Sequence, residues 1–214
     1  MGFFDALSKT LLGSTEPVYA IVDTETTGLS KRDRIIELGV VIVDERFREV
    51  SRWGTLINPE RQIPNSHIHG VTDQMVATAP TFREICTEFA RQIDGLILMA
   101  HNANYDGKML VAEFDRVSRD LDGDVFFPFV DTIALAKQLT TGPYKLATLA
   151  KKCGVYNPHA HAAVDDAATT AAVLRKLFGA NVATATKQIQ SQGQVFDGAD
   201  VFTWELPAGY IATR

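Results

Sequence analysis

The sequence predicts an α/β fold in which a mixed sheet of five strands is flanked by helices. Three segments rich in β-branched residues lie early in the chain, and their short linkers favour an antiparallel meander. Strand-like and helix-like segments then alternate, a pattern typical of parallel strands with helices on the faces of the sheet. The chain has 214 residues, 46% of them hydrophobic, which is enough for one sizeable domain with a packed core.

The meander is predicted from three apolar runs bounded by turn-forming residues. Its strands are expected at 18–22, 34–45 and 50–59. Residues 58–80 are expected to be mostly loop with short helical turns. Thr81 is a favourable N-cap with Glu84 at the capping-box position, so a helix is predicted from there to about Ile93.

The rest of the domain is predicted to supply two further strands and the remaining helices. A fourth strand is expected at 95–102, where an apolar run leads into polar residues. A fifth is expected at 125–132, and Pro128 within it indicates an edge strand or an irregular start. The helices are expected at about 104–119, 132–139, 145–153 and 162–178.

The segments on either side of the predicted domain, which spans 18–180, differ from it in composition. Residues 1–17 carry a short apolar periodicity that predicts a helix packed on the domain surface. Residues 181–214 are first polar and then regain aromatic residues, and we expect a tail available for partner contact. No signal peptide or membrane span is expected. Cys86 and Cys153 form neither a disulfide framework nor a zinc spacing, so a cytoplasmic location is expected.

The formal net charge of −5 gives the chain no overall basic field that would attract nucleic acid. This charge argues against a protein that binds duplexes without sequence preference. It does not exclude an enzyme that holds the end of a strand through metal ions.

Acidic residues recur where predicted strands end and predicted helices begin. Asp23 and Glu25 follow the first strand, Asp106 follows the fourth, and Asp165 and Asp166 lie in the first turn of the last helix. Sites in α/β sheets form at such edges. An acid near a helix N-terminus also complements the helix dipole, and for Asp106, Asp165 or Asp166 taken singly this explanation stays open.

Asp23 and Glu25 are less easily explained by helix capping. Two carboxylates at i and i+2 of an extended chain point to the same side of the sheet and repel each other unless a cation lies between them. A Thr-Thr-Gly turn follows, and its small residues allow a ligand to approach the backbone closely. Hard oxygen ligands without cysteine suit Mg²⁺ or Mn²⁺, and a pair of such ions cleaves phosphodiesters.

Three short segments carry a family resemblance. DTETTGL (23–29), HNANYD (101–106) and HAAVDDA (161–167) resemble, in order and approximate spacing, the three motifs of DnaQ-like 3'-5' exonucleases. Residues 58–82 also resemble the connecting segment of that family, and the resemblance extends over 18–178. It implies a ribonuclease H-like arrangement of the predicted sheet.

The resemblance also implies a catalytic set. Two Mg²⁺ or Mn²⁺ ions would be held by four carboxylates, those of Asp23, Glu25, Asp106 and Asp166. In the histidine subgroup of the family, a histidine precedes the last aspartate by five positions and serves as the general base. That spacing selects His161 with Asp166 rather than His159 with Asp165.

By the same resemblance, the terminal nucleotide lies beside the first motif. The 3' end is expected to contact Thr26, Thr27, Gly28 and Leu29, and its base is expected to lie between Leu29, His69 and Tyr105. His101 and Asn102 are expected either to contact substrate or to orient the second motif through backbone bonds. Tyr105 stands where the family often has phenylalanine.

The predicted function is metal-dependent 3'-5' exonuclease activity on single-stranded or frayed DNA, in proofreading or repair. One alternative is an exoribonuclease that acts on RNA ends or short oligoribonucleotides, although Thr-Thr-Gly is more similar to the DNA-directed members. Another is a non-catalytic subunit that binds nucleic-acid ends. The sequence carries no polymerase segment, so a separate polymerase or clamp partner is expected, with 181–214 as the contact. Within that tail, 192–196 loosely resembles peptides that dock on sliding clamps.

Overall fold

The computed structural model describes residues 16–118 and 129–179, which form a mixed sheet flanked by helices. The strands are β1 (Tyr19–Thr26), β2 (Ile35–Val43), β3 (Glu49–Leu56), β4 (Ile97–Ala100) and β5 (Phe129–Asp131). Their order across the sheet is β3-β2-β1-β4-β5. The β1–β2 and β2–β3 pairs are antiparallel, and the β1–β4 and β4–β5 pairs are parallel. The predicted mixed five-stranded fold is therefore confirmed.

The helices follow the predicted order. They are α1 (Ser66–His69), α2 (Asp73–Val76), α3 (Phe82–Ile93), α4 (Ala103–Ser118), α5 (Thr132–Leu139), α6 (Leu146–Cys153) and α7 (Ala163–Phe178). The capping box at the start of α3 is confirmed, since the Thr81 backbone N–H donates to Glu84 Oε2 at 2.7 Å. Among the described residues, none of these helices combines the length and apolarity that a bilayer span requires.

The first strand is longer than predicted. The apolar run predicts an end before the first acidic residue, but β1 continues through Asp23 and Glu25 to Thr26. Its pairing with β2 explains the difference, because Asp23 lies opposite Gly39 and Glu25 opposite Glu37. The backbone hydrogen bonds of this ladder do not depend on the polarity of the side chains.

Other strand bounds also differ from the prediction. β3 ends at Leu56 rather than at residue 59, and β4 covers only Ile97–Ala100. The left-handed φ values of Gly95 (72°) and Asn102 (73°) lie just outside β4 and keep it short. β5 is an edge strand, as predicted. The start of the predicted fifth strand, the N-terminal helix and the C-terminal tail lie outside the described residues.

The sheet is covered on both faces, and this decides where each β1 side chain points. Ala20 and Val22 pack into the core formed with α3 and α4, whereas Tyr19 and Ile21 pack into the core formed with α7. Because side chains alternate along a strand, Asp23 and Glu25 lie on the α7 face. The end of β1 is therefore reached by helices from both layers.

Candidate active site

Asp106 reaches the end of β1 from the α4 layer. It lies in the first turn of α4, is only 3% exposed, and its Oδ1 accepts a hydrogen bond of 2.8 Å from the Thr24 hydroxyl. Thr24 stands between Asp23 and Glu25 but points to the opposite face of the strand. This bond fixes the Asp106 carboxylate beside the two acids of β1.

Asp166 reaches the same place from the α7 layer, and two glycines allow its helix to come close. Gly39 and Gly54 lie opposite each other on β2 and β3. A Cβ on Gly39 would lie 2.4 Å from the Ala163 carbonyl carbon and from the Val164 nitrogen, and one on Gly54 would lie 2.1 Å from Val164 Cγ2. The first turn of α7 therefore rests directly on the backbone of the sheet, beside Asp23.

His161 comes from the loop that precedes α7. Its backbone is left-handed, with φ 72°, and its N–H donates to Asp166 Oδ2 at 3.1 Å. Its side chain is exposed, and a ring nitrogen of His161 lies within 4.8 Å of carboxylate oxygens of both Glu25 and Asp166. The predicted histidine and the last aspartate thus lie together, whereas His159 instead pairs with Asp165 at 3.0 Å.

Burial raises the pKa values of the clustered carboxylates, and the charges of neighbouring acids raise them further. Burial, and then the charges of Asp106, Asp166 and Glu25, raise the pKa of Asp23 well above its usual range. Burial, followed by the charges of Asp166 and Glu37, raises the pKa of Glu25 to about 8. Burial also raises the pKa of Asp106 to about 7, against the hydrogen bond from Thr24, which lowers it. The raised pKa values mean that the ionised carboxylates are disfavoured in the absence of a positive charge. A divalent cation bound between their oxygens would favour the ionised forms, so the cluster fits such a cation.

Glu37 is a fifth carboxylate at the site, and it lies outside the three sequence motifs. It lies directly opposite Glu25 in the β1–β2 ladder. Burial and the charges of Asp165 and Asp166 raise its pKa, while a hydrogen bond from the Ala163 backbone N–H lowers it. Glu37 therefore holds the first turn of α7 as well as adding charge to the cluster. The signal available in the sequence was a single charged residue inside an otherwise apolar strand.

Three of the predicted substrate residues form a small hydroxyl cluster at the edge of the site. The hydroxyls of Thr26 and Tyr105 contact each other, and they lie 2.8 Å and 3.1 Å from the Gly28 carbonyl oxygen. Because two hydroxyl protons cannot serve three contacts at once, the cluster can rearrange without losing all its bonds. It joins the turn after β1 to the first turn of α4.

Thr27 and Leu29 lie in the same turn but have different surroundings. Thr27 is buried, its N–H donates to the Arg34 carbonyl at 2.9 Å, and its hydroxyl accepts from the Arg34 N–H at 3.0 Å. The neighbouring Leu29 side chain is 87% exposed. The turn is thus anchored through Thr27 and presents Leu29 to solvent.

His69 lies at the end of α1 with one nitrogen unsatisfied. Its Nδ1 accepts from the Val71 N–H at 3.1 Å, so the neutral ring carries its proton on Nε2. Burial, and then the neighbouring His161, lower the pKa of His69, which favours that neutral form. Its Nε2 is buried and has no partner among the described residues. A buried donor of this kind is available to a ligand.

His101 and Asn102 are engaged by the protein scaffold. The His101 ring contacts the Thr132 hydroxyl at 2.9 Å and the Tyr144 carbonyl at 2.8 Å, and burial lowers its pKa. The carbonyl must accept from Nε2–H, so Nδ1 accepts from Thr132. The Asn102 backbone N–H donates to Asp131 Oδ1 at 3.2 Å. Of the two roles expected for this pair, the geometry favours orientation of the second motif.

The family model for exonucleases of the RNase T type matches residues 20–174. The chain therefore belongs to the exonuclease family, and the predicted DnaQ-like 3'-5' exonuclease class is confirmed. It is 40% identical to a DNA polymerase III subunit epsilon from Treponema pallidum over 79% of each chain. Other relatives are DNA polymerase III PolC-type proteins, and the chain spans 14% or less of the length of these.

Solved structures support the fold. E. coli Exonuclease I in complex with a dT13 oligonucleotide is 16% identical with a TM-score of 0.67, over 81% of this chain and 43% of that one. A 3'-exonuclease that recognises a histone mRNA stem-loop is 18% identical with a TM-score of 0.65, over 82% of this chain and 70% of that one. At these identities, the similarity establishes the ribonuclease H-like fold.

Proposed function

We propose that this chain removes nucleoside monophosphates from the 3' end of single-stranded or frayed DNA, by hydrolysis that depends on two Mg²⁺ or Mn²⁺ ions. The observation that carries the proposal is the convergence of four carboxylates and one histidine from β1, α4 and the start of α7. They come from three separate segments of the chain, and burial followed by their mutual repulsion raises the pKa values of Asp23 and Glu25. Such an arrangement is unfavourable without a cation.

The residues that would hold the two ions are Asp23, Glu25, Asp106 and Asp166. Bound there, the ions supply polarisation of the scissile phosphate and stabilise the leaving 3'-oxygen. The chain contributes the orientation of the ligands. Thr24 restrains Asp106 at 2.8 Å, and the His161 N–H restrains Asp166 at 3.1 Å.

His161 serves as the general base in this proposal. Histidine is the side chain that takes up a proton most readily near neutral pH. The exposed ring lies beside Glu25 and Asp166, where an attacking water can reach it from solvent. Its backbone bond to Asp166 keeps the base and the carboxylate in a fixed relation.

The terminal nucleotide is proposed to lie across the turn that follows β1. Leu29 and Tyr105 would flank its base, and the buried Nε2–H of His69 would donate to it. Thr26 and Gly28 line the same turn. The packing of a base against Leu29 and Tyr105 accepts any base, as an exonuclease requires.

We propose DNA rather than RNA as the substrate, since the 40% identical relative is named a DNA polymerase III subunit. The same name supports a polymerase as the partner, and we propose that residues 181–214 contact it. In this proposal residues 18–180 form the exonuclease domain and residues 1–17 an N-terminal extension. A cytoplasmic location accompanies this role. RNA ends and a non-catalytic end-binding role are the alternative outcomes of the test.

The test is a degradation assay with 5'-labelled single-stranded DNA and RNA of one sequence, in Mg²⁺, Mn²⁺ or EDTA. The wild type should shorten DNA from its 3' end only when metal is present. Asp166→Ala and His161→Ala should each lower the rate by about 10²–10⁴-fold. Their matched controls, Asp165→Ala and His159→Ala, remove the neighbouring acid and histidine and should stay within a few-fold of wild type.

Each possible failure has a distinct meaning. Faster degradation of RNA would assign the chain to the exoribonucleases. Metal-dependent binding of 3' ends without cleavage would support the non-catalytic role. Equal losses in the control variants would remove the distinction between His161 and His159 on which the proposed base rests.

A further inference from the structure

The side chain of Asn157 joins the Asp166 carboxylate to the backbone of the loop between α6 and α7. Its Nδ2 donates to Asp166 Oδ1 at 2.5 Å, and its Oδ1 accepts from the His159 backbone N–H at 3.2 Å. A carboxylate can only accept and a backbone N–H can only donate, so the partners determine the orientation of the amide. Asn157 is therefore held at both ends.

The other Asp166 oxygen is held by the same loop. Oδ2 accepts from the His161 N–H at 3.1 Å, so both oxygens of this carboxylate are restrained by residues within one short segment. Each oxygen keeps a further lone pair with which it can bind a cation. A neutral amide also orients the carboxylate without adding a positive charge that would compete with the cation.

We infer that Asn157 is a positioning residue, which holds the Asp166 carboxylate in the orientation that binds the divalent cation. The inference rests on the proposed function, because it takes Asp166 as a ligand. A residue that orients a ligand in this way alters metal affinity when it is replaced, whereas a residue that only supports the loop alters stability. The two roles therefore give different measurements.

The most informative variant is Asn157→Leu. It has nearly the same size and adds no charge, but it neither donates to Asp166 nor accepts from the His159 N–H. Asn157→Ala removes both bonds and serves as the second variant. His159→Ala is the matched control, because it removes a side-chain contact between the same loop and Asp165 while leaving the bonds of Asp166 in place.

The measurements are Mn²⁺ binding by electron paramagnetic resonance of the free ion, thermal unfolding, and exonuclease rate as a function of Mn²⁺ concentration. Both Asn157 variants should bind Mn²⁺ about 10- to 100-fold more weakly and need correspondingly more Mn²⁺ for half-maximal rate. The KM for the oligonucleotide at saturating Mn²⁺ should stay within about twofold, as should the Mn²⁺ affinity of His159→Ala.

Mn²⁺ affinity within about twofold of wild type in both Asn157 variants would overturn the inference. If the wild type neither binds Mn²⁺ nor degrades DNA, the proposed function itself fails and this inference fails with it. If the wild type does both and the variants match it, only the role of Asn157 is refuted. Should Asn157→Ala fail to fold, Asn157→Leu still decides, since it keeps the volume of the side chain.

Discussion

Gly39 offers a direct test of how the site is assembled, because the atoms nearest to a Cβ at this position are all backbone atoms of α7. Gly39 pairs with Asp23 in the sheet, and the first turn of α7 packs on the face to which a side chain at Gly39 would point. In Gly39→Ala, the new Cβ would lie 2.4 Å from the Ala163 carbonyl carbon and the Val164 nitrogen. Neither atom belongs to a flexible side chain, so the helix itself must move.

The size of the movement follows from ordinary contact distances. Carbon atoms in contact lie about 3.5–4.0 Å apart, so the start of α7 must retreat by about 1 Å. Asp166 lies in this turn and would retreat with it from Asp23 and Glu25. A misplacement of about 1 Å can lower a rate by about 100-fold. Overpacking of this kind also costs about 1–3 kcal/mol of stability, or several degrees in Tm.

The assay measures the rate of 3' degradation and the thermal unfolding of each variant side by side. Gly107→Ala is the matched control, because its Cβ would lie 3.5 Å from Phe129 Cδ2, an ordinary contact, within α4. Alanine favours a helix over glycine by about 1 kcal/mol, so this variant should keep its rate and unfold at a higher temperature. Gly39→Ala with a rate within about threefold of wild type would refute the geometric reasoning.

Two further predictions concern stability. Glu113→Ala removes a fully buried carboxylate that accepts from Arg34 Nε at 2.9 Å, and urea unfolding should show a loss of about 3–5 kcal/mol; a loss below about 1 kcal/mol would contradict it. The metal-free protein should become less stable as pH rises from about 5 to about 8, because folded Glu25 (pKa about 8) and Asp106 (pKa about 7) retain protons that the unfolded chain has released. Thermal unfolding in EDTA tests this sign: the Tm should fall as pH rises, and it should fall less steeply in Glu25→Gln. Added Mg²⁺ should raise the Tm most near pH 8. A Tm that rises with pH would contradict the prediction.

The fold was predictable because its signals are local. The β-branched runs with short linkers predicted the antiparallel meander, and the alternating second half predicted the parallel strands. Motif spacing is also local, and the spacing typical of the resembled family indicates His161 and Asp166, which the structure brings within reach of Glu25. The polar side chains at the end of β1 predict a loop, but the backbone pairing with β2 continues through them.

The supporting residues could not be predicted because their roles depend on which elements meet. Nothing in the sequence near Gly39 shows that a helix more than 120 residues later rests on it. Glu37 becomes part of the site only through a register that sets it opposite Glu25. Asn157 precedes Asp166 by nine positions, and only the path of the intervening loop brings its amide to the carboxylate.

The closeness of α7 to the sheet also explains why an aspartate on this helix is long enough to reach the site. Ala163, Ala167 and Ala171 follow the i, i+4, i+8 spacing of one helix face and are all buried. Small side chains on that face, set over Gly39, bring the helix axis nearer to the strands than larger residues would allow. An aspartate on α7 can then reach the acids of β1. Because these carboxylates repel one another without a cation, the apolar packing of α7 against the sheet must hold them together. The contacts that stabilise the fold therefore also set the distance between Asp166 and the acids of β1.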